Sequence, residues 1–86
     1  MTVQYRKQFL KDLKKLTQKQ KNQAYDRLEL FQVDPTNVML RNHKLTGEYQ
    51  GFSSINITGD FRALYREESE DTVRFFFVRN HNQLYS

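Results

Sequence analysis

Eighty-six residues suffice for one small domain, spanning 1–86, whose seven Phe and five Tyr must supply much of the buried area. The absence of Cys excludes disulfides and thiolate metal sites. No stretch nears the roughly 20 apolar residues of a membrane span. Met1–Lys7 has no apolar signal region, so a cytoplasmic chain is expected. The net charge of +4 suits an anionic partner, nucleic acid or an acidic protein, or else a merely well-solvated surface, and charge alone does not decide between them.

Thr2-Val3-Gln4-Tyr5 alternates as a short strand. Phe9, Leu10, Leu13 and Leu16 then fall on one face of a helix, with Lys7, Lys11, Lys14 and Lys15 around the rest. Thr17-Gln18-Lys19-Gln20 has capping-box form and starts a second helix, whose core face is Ala24, Leu28 and Phe31. Asp34-Pro35 ends it, because the residue before Pro is pushed out of the helical region. The two helices form an αα-hairpin.

Beyond Pro35 the pattern changes. Residues 42–51 read as a glycine-punctuated loop, and Phe52–Ile57 alternates as a strand. Thr58-Gly59-Asp60 is turn chemistry, Phe61–Tyr65 a strand, Glu67–Asp71 an acidic turn, and Thr72–Val78 the last strand. The expected fold is α+β: a strand, a two-helix hairpin, and an antiparallel meander sheet of three or four strands with the helices on one face. The other face is expected to be open and to receive a ligand.

Some residues look misplaced for a purely structural chain. Alternation puts Asp60, Arg62 and Leu64 on one face and Phe61, Ala63 and Tyr65 on the other. Arg62 is either a snorkelling side chain or a phosphate grip held on a rigid strand. If the last strand stays extended, Val73, Phe75, Phe77, Arg79 and His81 share a face. His81 and His43, the only two His, both sit at element ends, His43 beside Lys44 and His81 four residues before Tyr85. Imidazole suits proton transfer near neutral pH. The lysines of the helices form either an ordinary solvated face or a grip on a nucleic-acid backbone. No metal-ligand spacing, phosphate loop or nucleophile elbow is seen, and no cofactor is expected.

His43-Lys-Leu-Thr-Gly47, Gly51-Phe-Ser-Ser-Ile55, Gly59-Asp-Phe-Arg-Ala-Leu-Tyr65 and His81-Asn-Gln-Leu-Tyr85, in that order, resemble the RelE/ParE toxin superfamily. The likeness is greatest to its YafQ branch of ribosome-dependent messenger-RNA endoribonucleases, and it covers nearly the whole chain. The resemblance implies a metal-independent enzyme in which Arg62 holds the scissile phosphate, His81 is the general acid and Tyr85 stacks on or orients the substrate. His43 or Asp60 then takes the 2′-hydroxyl proton, because Asn56 stands where the YafQ pattern has another His. Phe61 replaces a Trp of that pattern; with Lys44 and Arg79 it is expected to contact substrate, and Lys11, Lys14, Lys15 and Lys19 to contact ribosomal RNA. The resemblance further implies a cognate antitoxin, which supplies any DNA binding, and the ribosome with its message as target. The alternatives are a gyrase inhibitor of the ParE type and a non-catalytic basic module that binds RNA or antitoxin.

Overall fold

A computed structural model describes residues 1–85, and Tyr85 by its backbone only. In chain order the elements are β1 (Thr2–Tyr5), α1 (Lys7–Lys14), α2 (Gln18–Val33), a 3₁₀ turn (Val38–Leu40) and β2 (His43–Lys44). A second 3₁₀ turn (Gly47–Tyr49) leads to β3 (Ser53–Asn56), β4 (Phe61–Ser69), β5 (Thr72–Asn80) and α3 (His81–Tyr85). The helical hairpin forms where its apolar spacing places it. Thr17 caps α2 reciprocally: the Gln20 N–H donates to Thr17 Oγ1 at 3.2 Å, and the Thr17 N–H to Gln20 Oε1 at 2.9 Å. Phe9, Leu13 and Leu16 are buried, but Leu10 lies beside the stripe and is exposed, contrary to expectation.

The strands form one five-stranded sheet in the order β1-β5-β4-β3-β2. The antiparallel part, β2 to β5, has four strands, within the expected three or four, and the expected first strand joins it at the edge; two of the pairings have no local signal in the sequence. The two residues of β2 are too few to show a period. β1 joins by a parallel pairing with β5, Thr2 opposite Thr72, which no local pattern announces. The hairpin between β4 and β5 is also tighter than expected, since Glu67–Ser69 continue the strand. Phe52, conversely, lies outside β3.

The helices pack on one face of this sheet. Phe9, Leu13, Ala24, Leu28 and Phe31 meet Ile55, Ala63, Tyr65, Val73, Phe75 and Val78. Phe31 stands edge-on to Tyr65 and Phe75, with ring centroids 5.0 and 5.3 Å apart. Phe9, Phe31 and Phe75 are almost wholly enclosed, and each such side chain contributes about 1.5–3 kcal/mol by leaving water. Among the described residues no helix is long and apolar enough to cross a membrane.

One irregularity decides what faces outward near the end of β5. Leu64 pairs with Phe77 but Tyr65 with Phe75, so Phe76 is an extra residue in the ladder. Alternation slips by one there. Val73 and Phe75 face the helices before the bulge and Val78 does so after it, which turns Phe77 and Arg79 to the opposite face. The single shared face expected for residues 73 to 81 is therefore absent. Nor is the second face bare: Phe52, Phe76 and Phe77 cluster on it, with the Arg66 guanidinium 5.3 Å from the Phe52 ring centroid and 5.1 Å from that of Phe76.

Candidate active site

The face opposite the helices carries Asn56, Arg62 and Arg79. Ile55, Ala63 and Tyr65 point into the core, so Asn56 and Arg62 point away from it, directly across from each other. Arg79 stands opposite Arg62 on the other side. Two like charges opposite one another in a ladder are unfavourable. Arg79 is turned aside to Asp12 of α1, 3.5 Å away, and over the ring of Phe77 at 4.5 Å. Asp12 also accepts the Val78 N–H at 3.0 Å, sealing the edge of β5 beyond the end of β1. Arg62 keeps its charge uncompensated: its Nη1 donates to the Phe61 carbonyl at 3.2 Å and lies 3.5 Å from that of Thr58. Among the described residues no carboxylate pairs with it.

His81 is brought in by two turns. Thr58 Oγ1 accepts the backbone N–H groups of Asp60 and Phe61 at 3.1 and 2.9 Å, shaping the link from β3 to β4. That link offers the Asp60 carbonyl to the His81 N–H at 3.1 Å. The chain does not continue extended past Asn80; it turns into α3. Asn80 and Gln83 cap this turn reciprocally, each side chain accepting the other's backbone N–H at 2.8 Å. The Asn-x-x-Gln spacing signals such a box, and the apolar run before it masks the signal. His81 thus leaves the sheet on a fixed turn rather than at the end of an extended strand.

His43 arrives from the edge strand. Asn42, just before it, accepts the Tyr65 hydroxyl at 2.7 Å and donates to the Pro35 carbonyl at 2.9 Å. The His43 Nδ1 lies 2.7 Å from the Arg41 carbonyl oxygen. A carbonyl can only accept, so Nδ1 carries the proton and the lone pair of the neutral ring lies on Nε2. Arg41 itself has a left-handed backbone, with φ 47° and ψ 46°. It is the only described residue other than Gly at positive φ.

These elements close a cleft of about 180 Å³ lined by Arg41, His43, Asn56, Arg62 and His81. Two arginines and two histidines line it together, and none of its lining residues is acidic. Such a lining attracts an anion, and the imidazoles can exchange protons with it. Asn56 can hydrogen-bond but cannot take a proton at neutral pH. A larger groove of about 610 Å³ beside β2, lined by Lys44, Leu45, Phe52 and Glu67, assembles no such pair of acid–base groups.

Of the residues expected at a site, His43, Arg62 and His81 line this cleft and several others do not. Asp60 is exposed in the β3–β4 link and reaches α3 through its backbone. Phe61 packs against the helical core, as its alternation with Ala63 and Tyr65 requires. Lys44 faces the neighbouring cavities, and Arg79 is engaged with Asp12. Lys11, Lys14, Lys15 and Lys19 are exposed on the helical hairpin, away from the cleft lining. The Tyr85 side chain lies outside the described residues. Arg41 escaped the sequence reading, because a left-handed backbone at an Arg leaves no trace in residue type.

A sequence profile of the bacterial toxins of type II toxin–antitoxin systems, YafQ, matches residues 1–86. The chain belongs to the YafQ toxin family. Its fold is that of YafQ from E. coli strain BL21(DE3), at a TM-score of 0.76 and 20% identity over 98% of this chain and 97% of that one. The YoeB/ParE toxin from Agrobacterium tumefaciens aligns at 0.73 and 19% identity, covering 94% and 99%. The archaeal RelE–RelB complex from Pyrococcus horikoshii OT3 aligns at 0.74 and 17%, covering 95% and 96%. No curated protein is matched significantly by sequence. This YafQ-family chain thus has an α+β fold that it shares with the YoeB/ParE and RelE structures across remote sequences.

Proposed function

We propose that this chain is a ribosome-dependent endoribonuclease that cleaves messenger RNA in the A site, in the cytoplasm, and is restrained by a cognate antitoxin. One observation carries the reading: His43, His81 and Arg62 meet in a single cleft with no acidic residue in its lining. His43 Nε2 takes the proton of a 2′-hydroxyl as its oxygen attacks the adjacent phosphorus. Arg62 stabilises the charge growing on the phosphorane oxygens, in a cleft where the donor is already oriented. His81 gives a proton to the leaving 5′-oxygen as the P–O5′ bond breaks. The products are a 2′,3′-cyclic phosphate and a 5′-hydroxyl. His43 is favoured over Asp60 as the base because it lines the cleft with its lone pair on Nε2. Tyr85 orients the substrate, Lys44 lies beside it, and the exposed lysines of the hairpin, Lys11, Lys14, Lys15 and Lys19, rest on ribosomal RNA.

A partner is supported by the solved relatives, which include the E. coli DinJ–YafQ toxin–antitoxin complex, at a TM-score of 0.74 and 22% identity over 98% of this chain and 96% of that one. An acidic antitoxin segment suits the chain's +4 charge. Expression in cells tests the reading. Growth arrest is expected from the unsubstituted chain, with messenger RNA cut and DNA gyrase unaffected. Arg62→Ala is expected to lose the arrest while keeping its fold and antitoxin binding. Arrest that persists in Arg62→Ala would point instead to gyrase poisoning or to simple titration of a partner.

A further inference from the structure

Arg41 is the residue whose conformation the fold least favours. Left-handed backbone is routine for Gly and tolerated by Asn, but it is strained for a long side chain. Strain of this kind persists where neighbouring structure over-determines it, and it clusters at functional sites. Both conditions hold here. Asn42 is pinned by Tyr65 and Pro35, and the Arg41 N–H closes the 3₁₀ turn on the Val38 carbonyl at 3.3 Å. Between those anchors the left-handed turn has two effects. It swings the Arg41 carbonyl onto His43 Nδ1, and it makes Arg41 part of the wall of the cleft shared with Arg62. A Gly would deliver the carbonyl without strain. What only Arg adds is the guanidinium, and among the described residues no carboxylate pairs with it.

We propose that Arg41 is a second phosphate-binding residue of the cleft, gripping the RNA backbone from the β2 edge while Arg62 grips it from β4. This rests on the nuclease reading above and extends it: the site takes single-stranded RNA through two guanidinium contacts from different elements, and the strained backbone is what aims the second. A planar, five-donor fork suits a phosphodiester better than an ammonium does. Arg41 contacts the substrate by its side chain and positions His43 by its carbonyl, and substitution separates the two.

The probe is a short 2′-O-methyl RNA, which keeps its phosphates but offers no nucleophile. Its affinity for the full chain is measured by fluorescence anisotropy across a range of salt concentrations, with Arg41→Gly, Arg41→Lys and Arg62→Ala alongside. Arg41→Gly is expected to melt at or above the temperature of the unsubstituted chain and to leave the His43 imidazole nitrogen shifts unchanged. It should bind roughly tenfold more weakly, the loss of one charge-assisted hydrogen bond. Its salt slope should fall by about 0.7, the counterion share of one single-strand phosphate contact. Arg41→Lys should recover the slope but not the full affinity. Equal affinity and slope in Arg41→Gly, with Arg62→Ala weakened, would overturn the Arg41 assignment and leave the nuclease reading standing. Weakened binding with altered His43 shifts would also overturn it, since Arg41 would then act through the imidazole. Binding by the unsubstituted chain no tighter than by Arg62→Ala would remove the cleft reading, and this proposal with it.

Discussion

At the scale of single residues, the cleft is built by redirecting charges rather than by adding them. Arg62 and Arg79 are neighbours across the ladder, and Asp12 draws off only the second. Asn42 sits between the two cleft residues Arg41 and His43, and Tyr65 holds it from the core side. Burial raises the Tyr65 pKa above the ordinary 10.0, with hydrogen bonds to Asn42 and Ser53 opposing the rise and the Glu67 charge adding to it. A raised folded-state pKa means that the folded chain holds this proton more tightly than the unfolded chain does. The stability it contributes is whole below pH 10 and is lost as pH climbs through the folded value. Tyr65→Phe removes the hydroxyl and its hydrogen bonds to Asn42 and Ser53, and should cost about 1–2 kcal/mol near neutral pH. Denaturant melts should show that deficit shrinking above pH 10.0, where the unsubstituted chain loses its Tyr65 contribution. A deficit constant across that range would mean that Tyr65 ionises in the folded chain as it does in water.

At the scale of elements, α3 carries the clearest prediction. It is a single five-residue turn, too short to persist on propensity alone, so its reciprocal Asn80–Gln83 cap and the Asp60 carbonyl must hold it. Asn80→Ala should cost about 1 kcal/mol locally. Because α3 packs mainly on β5, the loss should appear as faster amide exchange at residues 81–84 and slower cleavage, with little change in melting temperature. Unchanged exchange there would show that packing, not the cap, fixes His81. The elements also separate what was legible in the sequence from what was not. The helical hairpin was, because its apolar spacing and the Thr17 capping box are local signals. The bulge at Phe76 was not: Phe75, Phe76 and Phe77 are identical in type, and nothing marks which of them is the extra residue. That one slip sends Phe77 and Arg79 to the face opposite Val73 and Phe75. β2 and the parallel β1–β5 pairing were hidden for a related reason, since they depend on partners distant in sequence.

For the whole molecule, sheet and helices divide the work. One face buries the Phe9, Phe31 and Phe75 core that makes so short a chain stable; the other presents the cleft. Residue identities drew attention to His43 and His81 because both imidazoles sit at element ends, and to Arg62 because a charge between apolar neighbours on a strand is conspicuous. They also drew attention to Phe61 and Asp60, which face the core and the solvent, since alternation gives a residue's face but not how a loop folds beside it. The central claim is that the two imidazoles and Arg62 act together on one phosphodiester. The most direct measurement adds the purified chain to ribosomes programmed with a defined message and maps new 5′ ends by primer extension, with His43→Ala and His81→Ala beside it. The account predicts cuts within the A-site codon only when ribosomes are present, and rates lower by about 10²–10⁴-fold in each variant. Cleavage at undiminished rate in either variant, or no cleavage by the folded chain, would contradict it.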